Sequence, residues 1–133
     1  MLPEIHGEFG IVKPPEIRFN DSGKAWAKLR CSFKDRKRDS NGNWTDGEPQ
    51  YLDVIVNHQA ENLIESVSVG DSVVISGHLV IRTYEVDGQT RLAPEIRAEN
   101  VGVSVRWTTA KSFRVVEEAG KGTESPVQEE APF

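Results

Sequence analysis

The sequence predicts an all-β domain: a small closed barrel with one short helix, followed by a polar tail. Three observations carry this. Residues 24–34 alternate between an apolar parity and one that is basic with an aromatic, short runs of similar character recur between turn residues, and one stretch, 59–67, has its apolar residues at helical spacing. The chain has 133 residues. That suits one domain of about 100–110 residues plus a tail, large enough to bury a core without metals or disulfides.

In chain order, residues 7–12 read as a short strand ended by Pro14-Pro15. Asp21-Ser22-Gly23 is turn chemistry, and residues 24–33 are the clearest strand. There Ala25, Ala27, Leu29, Cys31 and Phe33 form the apolar face, while Trp26, Lys28, Arg30, Ser32 and Lys34 form the other. Residues 39–43 are expected to be a hairpin or loop tip, with Trp44 in a loop beside it. Residues 51–58 form the third strand, and 59–67 a short helix with Leu63, Ile64 and Val67 on its apolar side. Residues 72–86 are a long strand run bent at Gly77, turned at Asp87-Gly88 and returned through 90–98. Pro94 marks that return as an edge or irregular strand. Val101, Val103, Val105 and Trp107 alternate as a closing strand. One helix between the third and fourth strands of such a set fits a five-stranded Greek-key barrel of the OB type. The expected division is a barrel domain over 1–112 and a disordered acidic tail over 113–133, which has little to bury.

The formal net charge is −5, but its distribution is uneven. Residues 24–38 hold seven bases and one acid, whereas 113–133 hold five acids and two bases. A local basic surface binds phosphate whatever the overall sum. OB barrels hold single strands with a basic groove and aromatic rings on which bases stack. The candidate contacts are therefore Trp26, Lys28, Arg30, Lys34, Arg36, Lys37, Arg38, Trp44, Tyr51, Arg82, Tyr84 and Arg91. Trp26, Tyr51 and Tyr84 are equally compatible with rim packing, and a basic run such as 34–38 is often only a solvated face. Trp44, set among polar residues, is harder to explain by packing.

Catalytic chemistry has little support. His6, His58 and His78 are scattered without metal-ligand spacing, and there is no Gly-rich phosphate loop and no G-x-S-x-G elbow, so neither a metal nor a cofactor is expected. Asp46, Glu48 and Asp53 could be imagined as a nuclease metal site, but acids in such segments are usually just solvated. Cys31 is the only cysteine and has core parity, so it reads as a small buried residue in a reduced compartment. No secretory signal or membrane span is visible, which makes a cytoplasmic protein the expectation.

An ordered series of segments resembles bacterial and phage single-stranded DNA-binding proteins, closest to the form of high-GC Gram-positive bacteria and their phages. The segments are Gly42-Asn43-Trp44-Thr45-Asp46-Gly47-Glu48, Tyr51-Leu52, Ala60-Glu61-Asn62-Leu63-Ile64-Glu65-Ser66 and Val74-Ile75-Ser76-Gly77-His78-Leu79. Residues 15–19 with 23–25 resemble the family's first hairpin, and 104–111 the end of its barrel. The resemblance implies a sequence-independent binder of single-stranded DNA acting in replication, recombination and repair, assembled as a homotetramer. It implies base stacking on Trp44, Tyr51 and Tyr84. It also implies that Trp26 stands where relatives have a small aliphatic residue, and Asp53 where many have a base. The terminal Glu129-Glu130-Ala131-Pro132-Phe133 resembles the family's docking peptide for replication and repair proteins: acids meet a basic surface while the Phe ring and carboxylate enter an apolar pocket. The alternative function is an OB-type protein adaptor with incidental nucleic-acid binding, which would have no need of the basic-and-aromatic strand 24–34.

Overall fold

A computed structural model describes residues 1–115 and 127–128. Its strands are β1 (Glu4–Ile11), β2 (Glu16–Phe19), β3 (Ala25–Arg38), β4 (Trp44–Val56), β5 (Ser72–Val86), β6 (Gln89–Val103), β7 (Phe113–Arg114) and β8 (Val127–Gln128), with helix α1 (Ala60–Ser66) between β4 and β5. The main sheet runs β1-β5-β6-β4-β3-β2. It closes because β1 also pairs with β3, through Gly10 with Ser32 and Ile11 with Cys31. The result is a five-stranded OB barrel of β1, β3, β4, β5 and β6, with α1 between its third and fourth strands. β2 is an extra edge strand on the same side of β3 as β1, reached through Pro14-Pro15.

Alternation drives closure. Ala27, Leu29 and Cys31 of β3 meet Val54 and Val56 of β4, Val73 and Ile75 of β5, Ile96 of β6 and Ile11 of β1 in one buried core. α1 plugs the barrel with Ala60, Leu63 and the following Val67. The largest fully buried side chains of this core are Ile11, Leu29, Ile75, Ile96, Val54, Val73 and Cys31, and burial of this kind is the main favourable term in folding. Cys31 is fully buried, and desolvation pushes its thiol up to about 11.

Several boundaries differ from expectation, each for a physical reason. β3 and β4 continue outward past the core into a two-stranded arm that ends at the tight turn 39–43, where the Asp39 carboxylate accepts from the backbone N–H groups of Asn41 and Asn43. Trp44 therefore opens a strand rather than sitting in a loop. The returns at 90–98 and 101–103 are one strand, because Glu99 is an extra residue on β6 between the pairs Ser76–Asn100 and Gly77–Ala98. Pro94 is tolerated because pairing with β4 begins one residue later, at Glu95; up to that point β6 has only β5 beside it. The closing strand stops at Val103. Ser104 turns the chain, its hydroxyl donating to Glu8 at 3.1 Å, and leaves Val105 and Trp107 exposed. Beyond it, Phe113–Arg114 pairs with Val127–Gln128, a short ladder within the segment expected to be disordered. No helix among the described residues is long and apolar enough to cross a membrane.

Candidate nucleic-acid interface

The register of the sheet decides which side chains share the outward face, because directly opposed residues project to the same side. On β3 the outward residues are Trp26, Lys28, Arg30, Ser32 and Lys34. Ile55 faces Lys28, Asp53 faces Arg30 and Tyr51 faces Ser32 across β4. The parallel neighbour β6 sets Glu95 beside Asp53 and Arg97 beside Ile55. β5 completes the face, with Arg82 opposite Ala93 and Tyr84 opposite Arg91. One face of the barrel thus collects Trp26, Lys28, Arg30, Lys34, Tyr51, Arg82, Tyr84 and Arg91 from four strands.

Trp44 joins them through a break in alternation. Between the pairs Lys34–Pro49 and Arg36–Asp46, β3 contributes one residue and β4 two. This β-bulge shifts the parity of β4, so that even-numbered Trp44 falls on the face of odd-numbered Tyr51. Gly47 permits the close approach: a Cβ there would lie 3.0 Å from the carbonyl oxygen of Asp35. Arg36 and Arg38 lie over the Trp44 ring, each 5.8 Å from its centroid, and Arg30 lies 5.5 Å from that of Tyr51. Lys37 pairs with Thr45 and projects from the opposite face of the arm. Trp44, Tyr51 and Tyr84 remain 58%, 48% and 48% exposed, too open for core packing.

A row of charge crosses the middle of this face. Arg30 Nη1 lies 3.0 Å from Asp53 Oδ1, Lys28 Nζ lies 3.7 Å from Asp53 Oδ2, and Arg82 Nε meets Glu95 Oε1. The Asp53 carboxylate therefore holds two of the groove's cations and Glu95 a third. Lys34, Arg36, Arg38, Arg91 and Arg97 have no ion-pair partner among the described residues, which leaves them available to phosphate.

Sequence reasoning missed Arg18, Ile55, Glu95 and Arg97. Arg18 stands 5.9 Å from the centroid of the Trp26 ring and bonds Glu16 at 2.8 Å, a hydrogen bond that holds the Glu16 carboxyl below its ordinary range. Ile55 and Arg97 line a groove with Trp26 and Lys28. A period-two step along β6 from Arg91 reaches Glu95 and Arg97, a signal that Pro94 concealed. The acids Asp46 and Asp53 are placed opposite Arg36 and Arg30. Among the described residues no group of three His, Cys, Asp or Glu side chains could hold a metal ion. The terminal residues Glu129, Glu130, Ala131, Pro132 and Phe133 lie outside the described residues.

Comparison with known proteins is consistent with this geometry. The family model described as the single-strand binding protein family matches residues 9–104. The single-stranded DNA-binding protein of Mycobacterium tuberculosis is 36% identical over 118 residues, covering 86% of this chain and 72% of that protein. That of Paenarthrobacter aurescens is 35% identical over 115 residues, covering 84% and 67%. The crystal structure of a small single-stranded DNA-binding protein from Streptomyces coelicolor superposes with a TM-score of 0.69 at 30% identity, over 78% of this chain and 95% of that one. A Plasmodium falciparum SSB complexed with ssDNA shares the fold, with a TM-score of 0.66 at 19% identity over 78% and 96%. With most of its barrel matched by that family model and relatives above 30% identity over most of its length, the chain belongs to the single-strand binding protein family.

Proposed function

We propose that the protein binds single-stranded DNA without sequence readout, laying bases on Trp44, Tyr51 and Tyr84 and phosphates on the cations between them. The observation that carries this reading is the convergence of three exposed rings and the unpaired Lys34, Arg36, Arg38 and Arg91 on one outward face. Bases stack on rings whatever their identity, so such a face accepts any unpaired strand. A duplex hides its base faces and gains less. Binding therefore favours the unpaired state by mass action, needs no cofactor or covalent step, and shields the strand from nucleases. This is coverage by stoichiometric binding, the role required wherever replication, recombination or repair exposes single strands.

Three further features complete the proposal. The protein assembles as a homo-oligomer, with a tetramer favoured, so that one strand passes over several barrels. The tip 129–133 recruits replication and repair proteins through its acids and terminal Phe. It works in the cytoplasm, where its single buried thiol stays reduced.

Titration with oligo-dT, followed by tryptophan fluorescence, tests the reading. Quenching is expected, with an affinity that falls steeply as salt rises because bound phosphates release counterions. Absence of both quenching and a mobility shift at low salt would end the proposal.

A further inference from the structure

The groove beside Trp26 has a chemistry that a plain phosphate track would not need. Its volume is about 510 Å³, and its lining includes the indole of Trp26, aliphatic Ile55, the amide of Asn57, Arg97 and the carboxylates of Asp53 and Glu95. Asp53 and Glu95 are direct partners across the parallel β4–β6 ladder. Their cations come from both flanks, Lys28 and Arg30 from β3 and Arg82 from β5. A phosphate entering here meets two negative charges; among the described residues, Arg97 alone of the cations around it is without a carboxylate partner, while Lys28, Arg30 and Arg82 must each be drawn away from theirs. The cations without ion-pair partners on the β3–β4 arm, together with Arg91, offer it better sites.

A base is the better occupant. Its ring finds apolar surface on Trp26 and Ile55, and an amino group on its edge finds an acceptor. Arg18 beside the indole and its own bond to Glu16 hold the Trp26 platform in place. Carboxylates accept from the amino group of cytosine, and the same donor occurs on adenine; thymine and uracil present a carbonyl oxygen at that position, which a carboxylate repels.

We propose that this groove is a base-selective subsite in which the Asp53 carboxylate accepts a hydrogen bond from the exocyclic amine of cytosine or adenine. The inference rests on the single-stranded DNA reading and refines it: stacking elsewhere stays tolerant of sequence, while one position along the strand favours an amine. Glu95, whose side chain is only 13% exposed and tied to Arg82, stands beside Asp53 across the β4–β6 ladder as a fixed negative neighbour.

The test compares short oligo-dC and oligo-dU of equal length, at mildly alkaline pH where cytosine is unprotonated. The two differ at the pyrimidine 4-position, amine against carbonyl. Wild-type protein is expected to bind oligo-dC about fivefold or more tighter, the lower end of discrimination for a well-made base contact. In Asp53→Val the ratio is expected to fall to near unity while oligo-dU binding holds or tightens, because Lys28 and Arg30 are released to phosphate. A purely structural role for Asp53 would weaken both ligands together. Equal wild-type affinity for the two oligonucleotides would overturn the proposal, and needs no variant to fold. So would an unchanged ratio in Asp53→Val. If the wild type bound neither oligonucleotide, the single-strand reading itself would fall, a result distinct from equal binding.

Discussion

Trp44 has two guanidinium groups over its ring and yet keeps more than half of its surface open to solvent. Such a ring is held in orientation without being covered, which suits a stacking platform. Trp44→Ala and Tyr84→Ala are each expected to weaken oligo-dT binding by about 1–3 kcal/mol, with thermal unfolding little changed because neither ring is in the core. Cys31 is the opposite case, a titratable group sealed in the core. Its folded-state thiol titrates near 11, above the 9.0 of an ordinary thiol. Below about pH 9 both folded and unfolded chains keep the proton and the group has no effect on the pH dependence of stability. Between that value and about 11 the unfolded chain ionises first, so stability falls as pH rises through this window. Denaturation midpoints measured across it check the sign. The same burial predicts slow reaction with a thiol reagent in the folded state and rapid reaction in denaturant.

Two β-bulges shape the elements. At the β5–β6 bulge a Cβ on Gly77 would collide with the backbone carbonyl of Arg97. Gly77→Ala is therefore expected to destabilise the fold by about 1–3 kcal/mol or more, read from the denaturant midpoint. At the β3–β4 bulge the consequence is for the site. Deleting Glu48 removes the extra residue and returns the arm to simple alternation. The pairs Arg36–Asp46 and Arg38–Trp44 are then reached by plain alternation, so Trp44 stays on the face of Tyr51 and DNA affinity is expected to stay close to that of the unaltered chain; a fall as large as in Trp44→Ala would contradict this register. These bulges also explain what was legible in the sequence. Strict alternation from Ala25 to Lys34 was enough to place Lys28 and Arg30 outward and Leu29 and Cys31 inward, and Asp87-Gly88 marked its hairpin, with both residues at positive φ. Alternation stops being informative where an extra residue enters. That is why Trp44 read as a loop residue and 90–103 as two strands, whereas Arg97 was hidden by Pro94. Pairing between distant strands, such as Asp53 with Glu95, leaves no local pattern at all.

At the scale of the whole molecule, an acidic chain presents a basic face, and charge is segregated rather than balanced. The strand 24–38 carries the basic excess and the last 21 residues carry an acidic one. Deleting Ala131 to Phe133 is expected to leave oligonucleotide affinity nearly unchanged while abolishing capture of replication or repair partners; loss of DNA affinity on that deletion would mean the tip belongs to the binding face. Native mass measurement with and without oligo-dT is expected to show a tetramer that takes up DNA without dissociating. The central claim is that one outward face of the barrel, and no other, meets the strand. Photo-crosslinking of a bound oligonucleotide, mapped residue by residue, tests this most directly, because Trp107 is 77% exposed yet lies beyond β6, in a segment tied to Glu8 of β1 through Ser104 and Arg106, and so serves as an internal control. Crosslinks are predicted at Trp26, Trp44, Tyr51 and Tyr84, with Trp107 spared. Crosslinks concentrated at Trp107, with Trp44 and Tyr84 unmodified, would contradict the account.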